Sequence, residues 1–375
     1  MPGLLSHVDP DGLLEYSVVY TDRALNHMSE RFQQVMREIS TTLKQVYHAD
    51  AVAVVPGSGT FGMEAVARQF AGEQPCLVIR NGWFSYRWSQ ILEMGAIAAS
   101  VQVMKARPAT EHRHSSFVPA PIEEVCEQIA DLRPQVVFAP HVETSSGMLL
   151  PDDYLRRLAD AVHGVGGLLV LDCIASGALW VDMQALDIDV LVSAPQKGWS
   201  GSPCCGLVML RERALARMAK TTSSSFACDL KKWHQIMLAY EQGGHAYHAT
   251  MPTDGLRVFA EVMRETADYG FDKVREEQLE LGRRVRQLLD ERGFDSVAAP
   301  GFEAPGVVVC YTQDGDLHSG GKFRQQGLQI AAGVPLACDE PEWFKTFRIG
   351  LFGLDKLHHP ERTVAELARA LDSMA

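Results

Sequence analysis

The chain has 375 residues, of which 46% are hydrophobic and 22% are charged, as in ordinary globular proteins. Its formal net charge of −12 argues against nucleic acid or an anionic membrane as a partner. No uncharged apolar run is long enough to cross a membrane, and residues 1–14 lack the pattern of a signal peptide.

The eight cysteines show no CxxC pair and no spacing typical of a metal site. Most of them lie within or beside apolar runs, so we expect reduced core residues and a cytoplasmic location. His112 and His114 lie in a polar loop without a nearby third ligand, and we expect no metal there either.

The N-terminal part of the chain predicts an arm, a helix and a strand. Residues 1–20 contain no regular pattern and predict an irregular arm. Apolar residues at every third or fourth position predict an amphipathic helix over 26–47. A short apolar run predicts a strand over 51–55.

A polar turn after this strand could bind phosphate. The turn contains Ser58, Gly59 and Thr60, and a helix is predicted to follow over 61–70. A strand, a Gly/Ser/Thr turn and a helix direct backbone N–H groups and the helix dipole towards a phosphate. The same residues are compatible with an ordinary loop and helix cap, and this alternative stays open.

Two further strands are each followed by a residue that could contact a planar ligand. Phe84 follows the strand predicted over 76–79, and Thr144 lies in the polar loop after the strand predicted over 136–139. An aromatic residue in this position could stack on a cofactor or pack in the core.

The strongest chemical signal comes from the next pair of strands. An apolar run over 168–172 ends in Asp172, and Lys197 follows a second apolar run over 188–192. Desolvation lowers the pKa of a lysine and makes its amine a nucleophile towards an aldehyde. A lysine and an aspartate at neighbouring strand ends suggest pyridoxal phosphate (PLP), bound as a Schiff base to the lysine, with the aspartate at the pyridinium nitrogen. The alternative is a surface lysine at a strand end.

Strands alternate with helices over about 200 residues, an arrangement typical of a mostly parallel sheet with helices on both faces. Ligands bind at the carboxyl ends of the strands in such sheets. The candidate residues all lie at ends of this kind, and this coincidence is more specific than any one of them.

The pattern changes after residue 220. Residues 221–253 are less regular, and a long helix with a break near Tyr269 is predicted over 253–292. The remaining elements predict a smaller α+β domain, with strands over 306–311 and 347–351 and helices over 317–326 and 360–373. We therefore divide the chain into an arm (1–20), a large PLP-binding domain (21–255) and a small domain (256–375).

Arg348 lies inside the last predicted strand, where a cation needs an anionic partner. The partner is either a carboxylate of a neighbouring element or the carboxylate of a substrate, which a guanidinium binds with two hydrogen bonds.

The motifs Ser-x-x-Gln-Lys at 193–197 and Arg-Ile-Gly at 348–350, together with these strand ends, resemble the class V aminotransferase family of fold-type I PLP enzymes. The resemblance covers roughly residues 50–370 and is strongest for the alanine–glyoxylate, serine–pyruvate and 2-aminoethylphosphonate–pyruvate aminotransferases. It implies a homodimer with shared active sites and transfer of an amino group from a small amino acid or aminophosphonate to a 2-oxo acid such as pyruvate or glyoxylate. The mechanism implied is ping-pong, through an imine of Lys197.

The resemblance also implies the role of each site residue. Lys197 holds the cofactor covalently and Asp172 pairs with the ring nitrogen. The remaining matches are phosphate contacts from Ser58, Gly59, Thr60 and Gln196, ring contacts from Phe84 and Ile174, a hydroxyl contact from Thr144, phosphate contacts in the neighbouring subunit from Tyr247 and Thr250, and a substrate carboxylate contact from Arg348.

One segment departs from the family. Its members usually open with a Gly-Pro-rich segment at the substrate entrance, and this chain has Glu-Tyr-Ser-Val-Val-Tyr-Thr at 15–21 instead. Tyr16, Ser17 and Tyr20 are therefore candidates for substrate recognition, and the identity of donor and acceptor stays open.

Two alternatives remain at this point. Cys338 lies ahead of Arg348, roughly where related cysteine desulfurases hold their nucleophile, so desulfurase or lyase chemistry is the rival activity. Those enzymes usually have histidines where this chain has Gln196 and Phe84. The other alternative is a catalytically silent protein of the same fold.

Overall fold

The structure is a computed structural model that describes residues 8–10 and 12–374. The predicted arm lies partly outside these ranges, and its described residues contain no helix or strand. The described helices are α1 (Glu30–Tyr47), α2 (Gly59–Phe70), α3 (Trp83–Met94), α4 (Ile122–Leu132), α5 (Asp152–Gly164), α6 (Glu212–Met218), α7 (Leu230–Glu241), α8 (Thr253–Tyr269), α9 (Phe271–Asp290), α10 (Gly315–Ser319), α11 (Gly321–Gln325), α12 (Leu354–His358) and α13 (Pro360–Asp372). The described strands are β1 (Ala51–Pro56), β2 (Pro75–Arg80), β3 (Ser100–Lys105), β4 (Arg107–Pro108), β5 (Phe117–Val118), β6 (Val136–Pro140), β7 (Val142–Glu143), β8 (Met148–Leu149), β9 (Leu168–Asp172), β10 (Val190–Ser193), β11 (Cys205–Leu210), β12 (Val307–Tyr311), β13 (Ala331–Ala332) and β14 (Thr346–Gly350).

The largest sheet has seven strands in the order β1-β11-β10-β9-β6-β2-β3. The pairs from β10 to β3 are parallel, and β11 runs antiparallel to both β1 and β10. Helix α3 connects β2 to β3, α4 lies between β3 and β6, and α5 lies between β6 and β9, whereas the described segment from β9 to β10 contains no helix. The prediction of a mostly parallel sheet with helices is therefore confirmed.

The register of the central strands places three chain segments side by side. Asp172 at the end of β9 lies opposite Pro140 of β6 and Val192 of β10. Because parallel strands end at the same edge of the sheet, the segments after these strands meet there. The predicted site residues that follow β6, β9 and β10 belong to these segments.

Helix α1 begins later than the predicted start at residue 26. Ser29 is its N-cap, and its hydroxyl accepts a hydrogen bond from the Phe32 N–H at 3.1 Å. A capping serine satisfies an amide that has no partner inside the helix and so sets the start of the helix. The residues before Ser29 are held instead by contacts such as that of the Leu25 N–H with Asp254.

Helix α2 lies directly against β11. A Cβ atom on Gly206 would lie 2.8 Å from the Cα of Gly62, closer than real Cβ contacts. Glycine at both positions therefore allows the helix to approach the strand. This contact holds the N-terminus of α2 at the carboxyl edge of the sheet.

The C-terminal part contains a second sheet in the order β12-β14-β13, with α9 and α13 packed beside it around a second apolar core. The predicted break in the long helix is confirmed at Gly270, where φ is 103°. The helix predicted over 317–326 is interrupted at Gly320, where φ is 79°, and forms α10 and α11. The domain boundary at 255 falls inside α8 and stays a prediction.

Residues 221–253 are more regular than expected, because they contain α7. Asp229 is its N-cap and accepts a hydrogen bond from the Lys232 N–H at 3.0 Å. Its buried face includes Trp233, Met237 and Tyr240, which recur at helical spacing.

Among the described helices, none has the length and apolar composition needed to cross a membrane.

Candidate active site

A cavity of about 220 Å³ lies where the segments after the central strands meet. Most of the predicted site residues line it, namely Ser58, Gly59, Thr60, Phe84, Thr144, Asp172, Ile174, Gln196 and Lys197. The structure therefore brings together residues that are up to 139 positions apart in the chain.

One wall of the cavity is the N-terminus of α2. Ser58 is the N-cap in an extended conformation, and its side chain makes no capping hydrogen bond. The amides of the first turn, including those of Gly59 and Thr60, have no partner inside the helix. A Cβ atom on Gly59 would lie 2.6 Å from the Cδ1 of Ile174, so glycine lets the backbone approach the cavity. This turn can donate N–H and hydroxyl groups to an anion.

Asp172 and Lys197 are the two titratable groups at the centre. Burial raises the pKa of Asp172 to about 6, while the Ile174 N–H and the Lys197 charge act in the opposite direction. Burial also lowers the pKa of Lys197 below the ordinary value for lysine, although Asp172 and Glu143 oppose this shift. A lysine of lowered pKa is more readily deprotonated, which suits a nucleophile or a general base.

Phe84 lies in the first turn of α3, between the other functional groups. Its N–H donates to the Glu143 carboxylate at 3.2 Å. The Lys197 Nζ lies 5.7 Å from the centre of the Phe84 ring, and the Arg348 Cζ lies 5.5 Å from it. The ring therefore lies within 6 Å of a lysine of the cavity and of an arginine outside its lining.

Two buried polar atoms of the cavity residues lack a hydrogen-bond partner among the described residues. They are the Thr144 Oγ1 and the Gln196 Oε1. Unsatisfied buried polar atoms are costly, so they indicate a polar ligand at this position. The helix N-terminus, the Thr144 hydroxyl, the Asp172 carboxylate and the Lys197 amine fit the phosphate, ring oxygen, ring nitrogen and aldehyde of PLP.

Arg348 lies in β14, outside the cavity lining. Its Nε donates to the Ala332 carbonyl at 2.7 Å, and its two terminal nitrogens make no hydrogen bond within the described ranges. Burial lowers the pKa of Arg348, and Glu143 opposes this effect. The terminal nitrogens are therefore available to a carboxylate that lies above the Phe84 ring.

The other predicted residues lie away from the cavity. Tyr247 and Thr250 hydrogen-bond to each other through their hydroxyls at 3.1 Å, and Tyr247 is 54% exposed. Tyr16 and Ser17 line a separate cavity of about 1170 Å³ beside the start of α1. Tyr20 donates its hydroxyl to the Met251 carbonyl at 3.1 Å.

Sequence reasoning missed four lining residues, and Arg87 is the charged one. The others are Met63, Val142 and Ala175. The Arg87 Nη1 donates to the Thr60 hydroxyl at 3.0 Å. Arg87 follows Phe84 by three residues, a spacing that places two side chains on the same helix face. That spacing is the signal that could have identified it.

The position of Cys338 argues against the rival activity. Its side chain is 4% exposed, and its thiol contacts the Arg80 carbonyl at 3.4 Å. Burial raises the pKa of this thiol to about 12. The thiolate is the nucleophilic form, so a protonated, buried thiol does not suit a desulfurase nucleophile.

The sequence matches the model of one protein family, described as aminotransferase class V, over residues 13–351. This chain belongs to the class-V aminotransferase family. It is 27% identical over 363 residues to the alanine–glyoxylate aminotransferase of Oryctolagus cuniculus, covering 94% of this chain and 88% of that protein. It is 26% identical over 332 residues to a 2-aminoethylphosphonate–pyruvate transaminase of Salmonella schwarzengrund (strain CVM19633), covering 85% of this chain and 83% of that protein.

A solved structure gives the same fold. The alanine–glyoxylate aminotransferase of Nostoc sp. matches with a TM-score of 0.77 at 20% identity, covering 92% of this chain and 88% of that chain. The class-V aminotransferase described here is therefore a PLP-dependent enzyme of fold-type I, as the resemblance implied.

Proposed function

We propose that this aminotransferase moves the amino group of a small amino acid or an aminophosphonate to a 2-oxo acid such as pyruvate or glyoxylate. The observation that carries the proposal is the arrangement around Phe84, where Lys197 and Arg348 lie within 6 Å of one ring. The names of the related aminotransferases support this substrate class.

The cavity residues divide the chemistry between them. When bound, PLP supplies an aldehyde that takes up the donor's amino group and a ring that accepts electrons. Lys197 holds the cofactor covalently at rest and moves the proton at the substrate Cα during the reaction. Asp172 holds a proton on the ring nitrogen through a hydrogen bond to its carboxylate.

The remaining contacts orient the cofactor. The first turn of α2 and Gln196 bind the phosphate, and Thr144 donates its hydroxyl to the ring oxygen. Phe84 and Ile174 contact the two faces of the ring. The unpartnered buried hydroxyl of Thr144 supports its role.

Arg348 binds the carboxylate shared by all amino acid donors and 2-oxo acceptors. Its Nε is held by the Ala332 carbonyl, which leaves the two terminal nitrogens for a bidentate contact. Because an amino acid donor and a 2-oxo acid acceptor both carry this carboxylate, they use the contact in turn and occupy the same site. This arrangement supports ping-pong kinetics.

Half-reaction spectroscopy tests the proposal. The PLP-loaded enzyme is mixed with one donor at a time, and the visible absorbance of the cofactor is followed. We expect alanine, serine or 2-aminoethylphosphonate to bleach it, and pyruvate or glyoxylate to restore it. A cofactor that is bleached by none of these donors would overturn the proposed substrate class.

We also propose that the enzyme is a homodimer in which Tyr247 and Thr250 reach the phosphate in the neighbouring subunit. Both residues are exposed and lie outside the cavity of their own chain. Large apolar side chains of the N-terminal segment are also exposed, which supports a covered surface in the assembly: Leu13, Leu14, Tyr16 and Val18.

Mixed dimers test the shared site. Lys197→Ala and Thr250→Val subunits are mixed after partial unfolding, and the activity of each variant alone is measured as the baseline. A dimer with one of each has one intact site, so random mixing should recover about a quarter of the wild-type activity. No recovery in mixtures that contain mixed dimers would refute the shared site.

Two further expectations remain proposals. We infer a large domain over 21–255 and a small domain over 256–375. Separate apolar cores support two domains, and the first core continues to Met263 in α8. We infer a cytoplasmic location, and the eight free cysteines support a reducing compartment. Limited proteolysis and cell fractionation test these two points.

A further inference from the structure

Arg87 is a cation of the active-site cavity without an anionic partner. Its side chain is half-buried and lines the cavity, and it forms no ion pair with any carboxylate in the described part of the chain. Its Nη1 donates to the Thr60 hydroxyl at 3.0 Å. Partial burial removes water from this guanidinium, and its one hydrogen-bond partner is a neutral hydroxyl. The desolvation cost is therefore not offset by an opposite charge, so the site is suited to an anion.

The cations around Phe84 are attached to different walls. The Arg87 Cζ lies 5.4 Å from the ring centre, and the Arg348 Cζ lies 5.5 Å from it. Arg87 is bound to Thr60 in the first turn of α2, whereas Arg348 is bound to Ala332 of β13. The two arginines therefore serve different anions, and the one beside α2 is the one next to the N–H groups of the helix N-terminus.

The carboxylates of the neighbourhood do not compensate Arg87. Glu143 is occupied by N–H and hydroxyl donors from Phe84, Ser85 and Ser145. Asp172 accepts the Ile174 N–H, and Arg87 acts on it only over a distance, as one of the charges that lower its pKa. The negative charge that matches Arg87 must therefore come from a ligand.

We propose that Arg87 binds the phosphate group of PLP, together with Thr60 and the first turn of α2, a role that rests on the proposed function of this cavity. A guanidinium and a phosphate form paired, charge-assisted hydrogen bonds, which an isolated helix N-terminus does not provide. Arg87 thereby adds a permanent cation to a phosphate site that otherwise consists of neutral donors.

A comparison of two ligands tests this role. Apoenzyme is titrated with PLP and with pyridoxal, which has the same ring and aldehyde but no phosphate. In Arg87→Gln we expect PLP to bind about 10- to 100-fold more weakly, the effect of losing one charge-assisted contact, and pyridoxal to bind as to the wild type. Arg87→Lys should recover part of the lost PLP affinity, because lysine keeps the positive charge but lacks the two parallel N–H donors of a guanidinium.

The controls separate the possible failures. Arg156→Gln, at an exposed arginine of α5, should leave the binding of both ligands unchanged. Equal weakening of PLP and pyridoxal, or unchanged PLP binding, would overturn the role of Arg87. Unchanged PLP binding with a raised KM for one substrate would instead assign Arg87 to that substrate.

If Arg87→Gln does not fold, the Arg87→Lys variant tests the phosphate contact. Full retention of PLP affinity in this variant, with an unchanged ³¹P signal of the bound cofactor, would refute the contact. A wild-type enzyme that binds no PLP would contradict the proposed function itself.

Discussion

The Glu143 carboxylate fixes the first turn of α3 through Ser85, accepting its backbone N–H at 2.8 Å and its hydroxyl at 2.7 Å. It also accepts the N–H of Phe84 at 3.2 Å and that of Ser145 at 3.0 Å. Glu143 is 1% exposed, so these donors replace water around a buried charge. The position of Phe84 in the active site therefore depends on Glu143.

Glu143→Gln should loosen this turn. The amide keeps one acceptor oxygen and adds an NH₂ group opposite other donors, so some of these donors lose their partner. We expect the free energy of unfolding of the apoenzyme to fall by about 1–3 kcal/mol and PLP to bind more weakly. Urea unfolding and a PLP titration measure the two effects.

Glu93→Gln is the matched control, since Glu93 is an exposed residue on the same helix. It should change neither quantity. If Glu143→Gln were as stable as the wild type and bound PLP as tightly, the role of Glu143 in positioning Phe84 would be wrong.

Asp172 should make the apoenzyme less stable as the pH rises. Burial raises its folded-state pKa to about 6 from an ordinary value of 3.8, so the folded carboxyl binds a proton more readily than the unfolded one. The stability it contributes is present below about pH 4 and is lost as the pH rises through about 6.

Asp172→Asn removes this titration. Measured by urea unfolding of apoenzyme, the variant should gain stability relative to the wild type between pH 4 and pH 7, by up to about 3 kcal/mol. A difference between the two proteins that does not change over this range would show that Asp172 ionises at its ordinary pKa.

The strand ends explain why much of the site was predictable. A short apolar run that ends in a polar residue, as at Asp172, marks both a buried strand and the position of its end. Because parallel strands end at one edge, residues far apart in sequence could be expected to meet without knowledge of the strand order. The fold class is confirmed, and the role of each site residue stays a prediction.

The features that were missed depend on contacts that a linear pattern does not contain. Helix α7 is an exception, because its apolar residues recur at helical spacing after the cap at Asp229, and this sequence signal was missed. Arg87 becomes significant only when α2 and α3 are placed beside each other, since its contact is with Thr60. The end of α10 at Ser319 depends on one following residue with positive φ, Gly320.

Arg348→Gln should impair the binding of both substrates without releasing the cofactor. Loss of a bidentate contact to a carboxylate should lower kcat/KM about 100-fold for an amino acid donor such as alanine and for a 2-oxo acid acceptor alike. Steady-state kinetics with each substrate varied in turn measure this effect. Arg113→Gln is the control, because Arg113 also lies over an aromatic ring, at 5.3 Å from that of Trp343. A change in only one substrate's kcat/KM would contradict a shared carboxylate site.

Cys338→Ser should leave transamination within about twofold of the wild type, because a buried, protonated thiol takes no part in the reaction. The purified enzyme should also release no sulfide from cysteine. Sulfide release that disappears in Cys338→Ser would instead support desulfurase chemistry.

Borohydride reduction followed by peptide mass spectrometry tests the covalent attachment of the cofactor most directly. The PLP-loaded wild-type enzyme should carry the reduced cofactor on the peptide that contains Lys197, and Lys197→Ala should carry none and have no turnover. Attachment to a different lysine, or transamination by the Lys197→Ala variant, would contradict the assignment of Lys197.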